Sequence, residues 1–160
     1  MRGNPTIFLI LSLLVIGITC SPAWCEIIYV KEGGTGNGTS WADANGVLQL
    51  AINSASAGDQ VWVASGTYKP TIEVGGSGSE FQTFQMKNGV AIYGGVAGNE
   101  PNTFDVNDRD LDINETILSG DLLGNDNSDL DTWGIWYDPN RQENCEHVFF
   151  HPDTLALEPN

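Results

Sequence analysis

A short apolar segment that stops at glycine or a turn recurs along this chain, and nothing else in the 160 residues constrains the fold as strongly. It reads Gln60-Val61-Trp62-Val63-Ala64, Gly89-Val90-Ala91-Ile92-Tyr93-Gly94-Gly95, Glu115-Thr116-Ile117-Leu118-Ser119-Gly120 and His147-Val148-Phe149-Phe150. Val61, Val90, Ile117 and Val148 stand 29, 27 and 31 residues apart. A repeat of that period with one strand per unit predicts an all-β solenoid, in which each unit buries its apolar face only against its neighbours.

Residues 1–25 read as a secretory signal peptide. Arg2 precedes an apolar run from Ile7 to Ile18, and Pro22 and Ala23-Trp24-Cys25 lead to a cleavage point before Glu26. The run is too short to span a bilayer comfortably. The expected location is therefore secreted or cell-surface. Export would leave Cys145 as the single thiol, so packing and backbone ladders must hold the fold without a disulfide framework. Without Arg2, five Lys/Arg residues face 21 Asp/Glu. Such acidity argues against nucleic acid and against an anionic membrane surface, both of which need basic patches. Neutral or cationic partners fit better, Ca²⁺ among them.

Ile27–Val30 reads as an opening strand, and the glycine-rich stretch from Gly33 to Thr39 as a loop. Ser40-Trp41-Ala42-Asp43 has the form of a helix N-cap with an acid three residues on. Apolar residues at Ala44, Val47, Leu48, Ala51, Ile52 and Ala55 then predict a helix from about Trp41 to Ser54. Placed first, such a helix would cap the apolar end of the stack. Residues 26–58 are thus an N-terminal cap of strand and helix, and 59–160 the first rungs with long acidic loops. Phe81, Phe84 and Met86 offer a further strand. The excursions from Ala97 to Asn114 and from Asp121 to Glu146 are crowded with Asp and Asn, as functional loops often are. The stretch from Leu155 to Asn160 carries no capping pattern, so the expectation is a truncated stack that continues in the same chain beyond residue 160.

Four stretches together resemble the N-terminal region of bacterial right-handed parallel β-helix proteins with the pectin-lyase-like fold. They are Ile28-Tyr29-Val30 with Gly38 to Ala44, Gly58 to Ala64 with Gly66 to Pro70, Phe84 to Gly95, and Arg109-Asp110 with Thr116 to Asp121 and His147-Val148. The resemblance implies an N-terminal cap with one short α-helix, followed by three to four rungs of a right-handed parallel β-helix. That family includes polysaccharide lyases, hydrolases and adhesins, so fold alone does not select a function. The expected role is an exported scaffold of adhesin or surface-protein type that meets a polysaccharide or cell-surface glycan and is non-catalytic in this segment. The alternative is the first part of a polysaccharide lyase or glycoside hydrolase whose active site lies on later rungs. The lyases imply Ca²⁺-binding acids beside a basic proton abstractor on successive strands. No such cluster is visible here, and no catalytic residue is assigned.

Two acidic runs supply candidate calcium ligands. Asp108, Asp110 and Asp112 lie with Asp105 and Glu115 in one run, and Asn127, Asp129 and Asp131 follow Asp126 in the other. Ca²⁺ takes six to eight oxygens, and flexible Asx-rich loops provide them. Asn127, Asp129, Asp131 and Asp138 fall at positions 1, 3, 5 and 12 of an EF-hand-like loop, but position 6 is Thr132 rather than Gly. Solvated turn residues remain the plain alternative. Trp133, Trp136 and Tyr137 form a candidate platform for sugar rings, or else pin their loop to the outer wall. Arg109 reads as a counter-ion for the acids around it.

Overall fold

The structure is a computed structural model and describes residues 25–127, Gly134 and residues 138–150. Of the predicted signal peptide, residues 1–25, only Cys25 is among the described residues. The strands are β1 (Ile27–Val30), β2 (Gln60–Ala64), β3 (Gly66–Tyr68), β4 (Ile72–Glu73), β5 (Gln82–Gln85), β6 (Ala91–Val96), β7 (Thr116–Leu118) and β8 (Phe149–Phe150), and the N-terminal α-helix is α1 (Leu48–Ser54). Alternation in β1 and β2 turns Ile28, Val30, Val61 and Val63 inward, where all four are buried. Leu48, Ala51, Ile52 and Ala55 of the helix and its C-cap join them, with Tyr68 and Phe84.

The strands form three sheets, ordered β1-β2-β6, β3-β7 and β4-β5-β8. Every pair is parallel except β4 with β5. Two successive passages of the chain visit the sheets in the same order, first β2, β3 and β5, then β6, β7 and β8. The domain is thus a mixed fold of parallel sheets with one N-terminal helix, in a solenoid-like arrangement. The register pairs Ile27 with Gln60 and Gln60 with Ala91, but Gly66 with Thr116 and Phe84 with Phe149. The later offsets are longer because both acidic excursions are inserted within the second passage.

This corrects the reading of one strand per repeat. Of the four similar segments only the first two stack on each other, as β2 on β6. Val61 pairs with Ile28 and Ile92, Ile117 pairs with Thr67, and the Val148 carbonyl accepts from Phe84 N at 2.8 Å. The third and fourth segments are therefore two faces of one passage. Gly94 lies within β6 where its register against β2 shifts, and a Cβ there would lie 2.8 Å from Thr116 Cβ, so only glycine lets β6 and β7 approach.

The predicted helix is also shorter than its apolar pattern. Ser40 does cap a turn, its Oγ accepting from Asp43 N at 3.2 Å, but that turn is a 3-10 turn over Trp41–Asp43. The backbone is already extended at Ala44, and α1 starts only at Leu48. The reason is competition from β1. Asn45 N donates to the Tyr29 carbonyl and its carbonyl accepts from Lys31 N, while Tyr29 N donates to Gly38. These bonds occupy the outer edge of β1, and α1 packs against β1, β2 and β5. The N-terminal end of the stack is closed, as a terminal unit requires.

Asp59 extends the same ladder by one bond. Its Oδ1 accepts from Glu26 N at 2.9 Å, next to the Gln60 N to Glu26 carbonyl bond, and its Oδ2 accepts from Ser56 N at 2.7 Å. The amides of Glu26 and Ser56, with Lys87 nearby, hold its carboxyl below the ordinary 3.8 against the opposing effect of burial. A lowered pKa stabilises the fold fully above the unfolded value and is lost as pH falls through the folded value. Thermal midpoints should therefore drop below about pH 4. The drop should be shallower in Asp59→Asn, starting from a lower midpoint at neutral pH. Parallel acid profiles for the two proteins would refute this role.

Candidate functional site

The second excursion folds around Asp121. Its Oδ1 accepts from Gly124 N at 2.6 Å and Asn125 N at 3.2 Å, and its Oδ2 accepts from Asp126 N at 3.2 Å. Burial would raise the Asp121 carboxyl, but these three amides and Lys69 outweigh it and the pKa is lowered. Lys69 Nζ also donates to the Leu122 carbonyl at 3.0 Å, which ties the loop to the segment after β3. Asp126 Oδ2 accepts from Asn144 Nδ2 at 2.9 Å and pairs with Arg141 at 3.2 Å. With its amide turned to donate, Asn125 reaches Glu143 Oε1 at 2.6 Å.

These bonds bring one carboxylate oxygen each from Asp121, Asp126 and Glu143 within 4.8 Å of one another. All three residues are half-buried. Asp126 Oδ1 and Asn144 Oδ1 are buried and accept no hydrogen bond. Hard oxygen donors in such a group suit a divalent cation of the Ca²⁺ type, although exposed acidic groups often occur without one. Asp121 and Glu143 escaped the sequence reading because 22 residues separate them, and only the folded loop brings them together.

The predicted ligands are placed differently. Asp108, Asp110 and Asp112 lie on an exposed stretch, outside any group of three such carboxylates among the described residues. Asp110 Oδ1 accepts from Asp112 N and Ile113 N, and Asp105 caps the 3-10 turn Val106–Asp108 through Asn107 N. Asn127 is exposed beside the convergent loop. Asp129, Asp131, Trp133, Trp136 and Tyr137 lie outside the described residues.

Arg109 corrects the counter-ion reading. It donates to the Val106 carbonyl at 2.9 Å and its guanidinium lies 5.5 Å from the Tyr93 ring centroid. Among the described residues the ion pair is Arg141 with Asp126. A row of rings runs along the outer face of the first sheet, where Trp41 meets Tyr29 at 4.8 Å, Tyr29 meets Trp62 at 5.9 Å, and Trp62 meets Phe104 at 6.0 Å. Phe104 and Arg109 thereby fasten the first excursion to the sheet, and Trp62 is buried beneath it.

Among the described residues nothing caps the other end of the stack. Among the described residues, no strand pairs with the outer edges of β6, β7 or β8. A cavity of about 240 Å³ opens there, lined by Val63, Met86, Ile92, Thr116, Leu118 and Phe149 with Gly94. Burial falls along the stack. Val30, Val61 and Val63 are sealed, whereas Phe149 and Phe150 are 47% and 37% exposed.

No protein-family model, no curated protein and no solved structure matches the chain.

Proposed function

We propose that this chain is the capped beginning of a right-handed parallel β-helix of pectin-lyase-like type, exported by a bacterium and serving as a non-catalytic surface scaffold. The contrast between its two ends carries the reading. One end is closed by α1 and the segment around Asn45, while the other presents three strand edges around an apolar cavity. A further turn of strand with apolar side chains inward would pair all three edges at once and fill that cavity. Both acidic excursions leave the chain between strands of different sheets, where they would meet glycan partners.

The scaffold reading is tested by incubating the full-length protein with immobilised acidic and neutral polysaccharides. Retention on a glycan without release of reducing or unsaturated ends is the expected result. Release of such ends would replace it with the hydrolase or lyase reading.

Ca²⁺ bound by Asp121, Asp126 and Glu143 would brace the second excursion. A ligand held only by the folded state stabilises it, by about 2.7 kcal/mol at a hundredfold excess over Kd. Millimolar Ca²⁺ should raise the thermal midpoint of the wild type and leave that of Asp126→Asn unchanged. No shift at several millimolar, or equal shifts in both proteins, would return these carboxylates to a purely structural role.

A further inference from the structure

We infer that hydrolysis of the Cys25–Glu26 bond creates an α-ammonium group that pairs with Asp59, so that processing itself locks the first strand. The inference rests on the export reading above. The bond is cut by an endopeptidase with water as co-reactant. The Cys25 carbonyl carbon leaves with the leader as a carboxylate, and the Glu26 nitrogen takes up the proton to become an ammonium.

That nitrogen already lies 2.9 Å from Asp59 Oδ1. It is the last main-chain donor before the β1–β2 ladder begins at Ile27 with Gln60, and its acceptor is a side-chain carboxylate rather than a carbonyl. Asp59 is only 9% exposed, and its other oxygen is held by Ser56 N at 2.7 Å. The carboxylate is thus fixed in place before any cut is made. Cleavage leaves the heavy atoms where they are and changes a neutral donor into a cationic one, which makes a shorter and stronger bond to an ionised acceptor. Glu26 is exposed, so the two additional N–H groups of the ammonium face water.

Among the described residues, the one other cation that acts on Asp59 is Lys87. Lys87 contributes favourably to it, but its Nζ donates to the carbonyls of Asn53 and Ala55 instead. The Asp59 carboxylate is therefore left for the new terminus. A cut elsewhere would place an ordinary amide at Glu26, or remove the donor altogether.

Two forms of the processed protein test this, one with a free amine at Glu26 and one with the same nitrogen acetylated. Acetylation keeps the N–H but removes the charge. The free-amine form should melt higher by about 3 °C or more, and that difference should vanish in Asp59→Asn. Its α-amine should titrate above the ordinary range of about 7.7–8.0 for such groups, measured by NMR on ¹⁵N-labelled Glu26 so that the result stands even if Asp59→Asn folds poorly. Equal midpoints together with an ordinary amine pKa would overturn the pairing. Mass spectrometry of the protein recovered outside the cell separates the two readings. A retained leader overturns export, a terminus other than Glu26 overturns the cleavage site, and a Glu26 terminus with an ordinary pKa overturns the lock alone.

Discussion

Phe84→Ala is expected to cost about 3–5 kcal/mol, the range for deleting a buried ring from a packed core. Phe84 is 1% exposed and belongs to the central apolar cluster. Its strand, β5, pairs with β4 on one side and β8 on the other, so the cavity left by the ring would loosen the third sheet from within. A domain of this size is stable by only about 5–15 kcal/mol, so the loss is a large fraction and the thermal midpoint should fall on the order of 10 °C. Phe149 supplies the control. Its ring lies 6.2 Å from that of Phe84, but it is 47% exposed at the other end of the stack. Phe149→Ala should cost less than about 1.5 kcal/mol, since little of its surface leaves water on folding. Urea denaturation of both variants checks the contrast. Equal losses would mean that the interior is sealed equally at both ends, contrary to the exposure pattern.

Gln49→Leu should also destabilise, although it places an apolar residue in an apolar setting. Gln49 is 1% exposed on α1. Its Oε1 accepts from Gln85 N at 2.8 Å and its Nε2 donates to the Gln85 carbonyl at 3.2 Å. The side-chain amide thus stands in for a neighbouring strand at the end of β5. Leu would fill the space but leave both main-chain groups of Gln85 unpaired, at a cost of about 1–3 kcal/mol each when they are buried. Gln85 is half-buried, so the lower part of that range applies, and the net loss should be about 2 kcal/mol. Amide exchange provides the specific readout. The Gln85 amide should lose protection in Gln49→Leu more than the amides of β2 do. Unchanged protection at Gln85 would show that the pairing contributes little.

These two residues mark how far the sequence could be read. Phe84 was legible as part of a short apolar strand, because alternation alone brings that out. Gln49 was not, since on the helical pattern it sits beside the apolar face as an ordinary polar residue. Its partner lies 36 residues away, and nothing local announces it. The helix itself was half legible. Its apolar face is buried at Ala44, Leu48, Ala51, Ile52 and Ala55, yet Ala44 and Asn45 are extended and Val47 is 40% exposed. Pairing with β1 satisfied more backbone than another helical turn would have done.

The acidic loops divide in the same way. Their position and composition stand in the chain for anyone to read, and Asp105 and Asp110 behave as turn-capping residues should. The convergence of Asp121 with Asp126 and Glu143 is a property of the folded excursion.

Local patterns therefore determined which stretches become strands, where the chain turns, and that one end carries a cap. Those properties follow from side-chain period, glycine and N-cap chemistry within a few residues of each site. Which sheet each strand joins, how far apart paired strands lie in sequence, and which oxygens meet were decided only by the tertiary structure. The four apolar segments look alike because each must bury a face. Their partners depend on how much chain is inserted between them, and insertion length leaves no trace in the segments themselves.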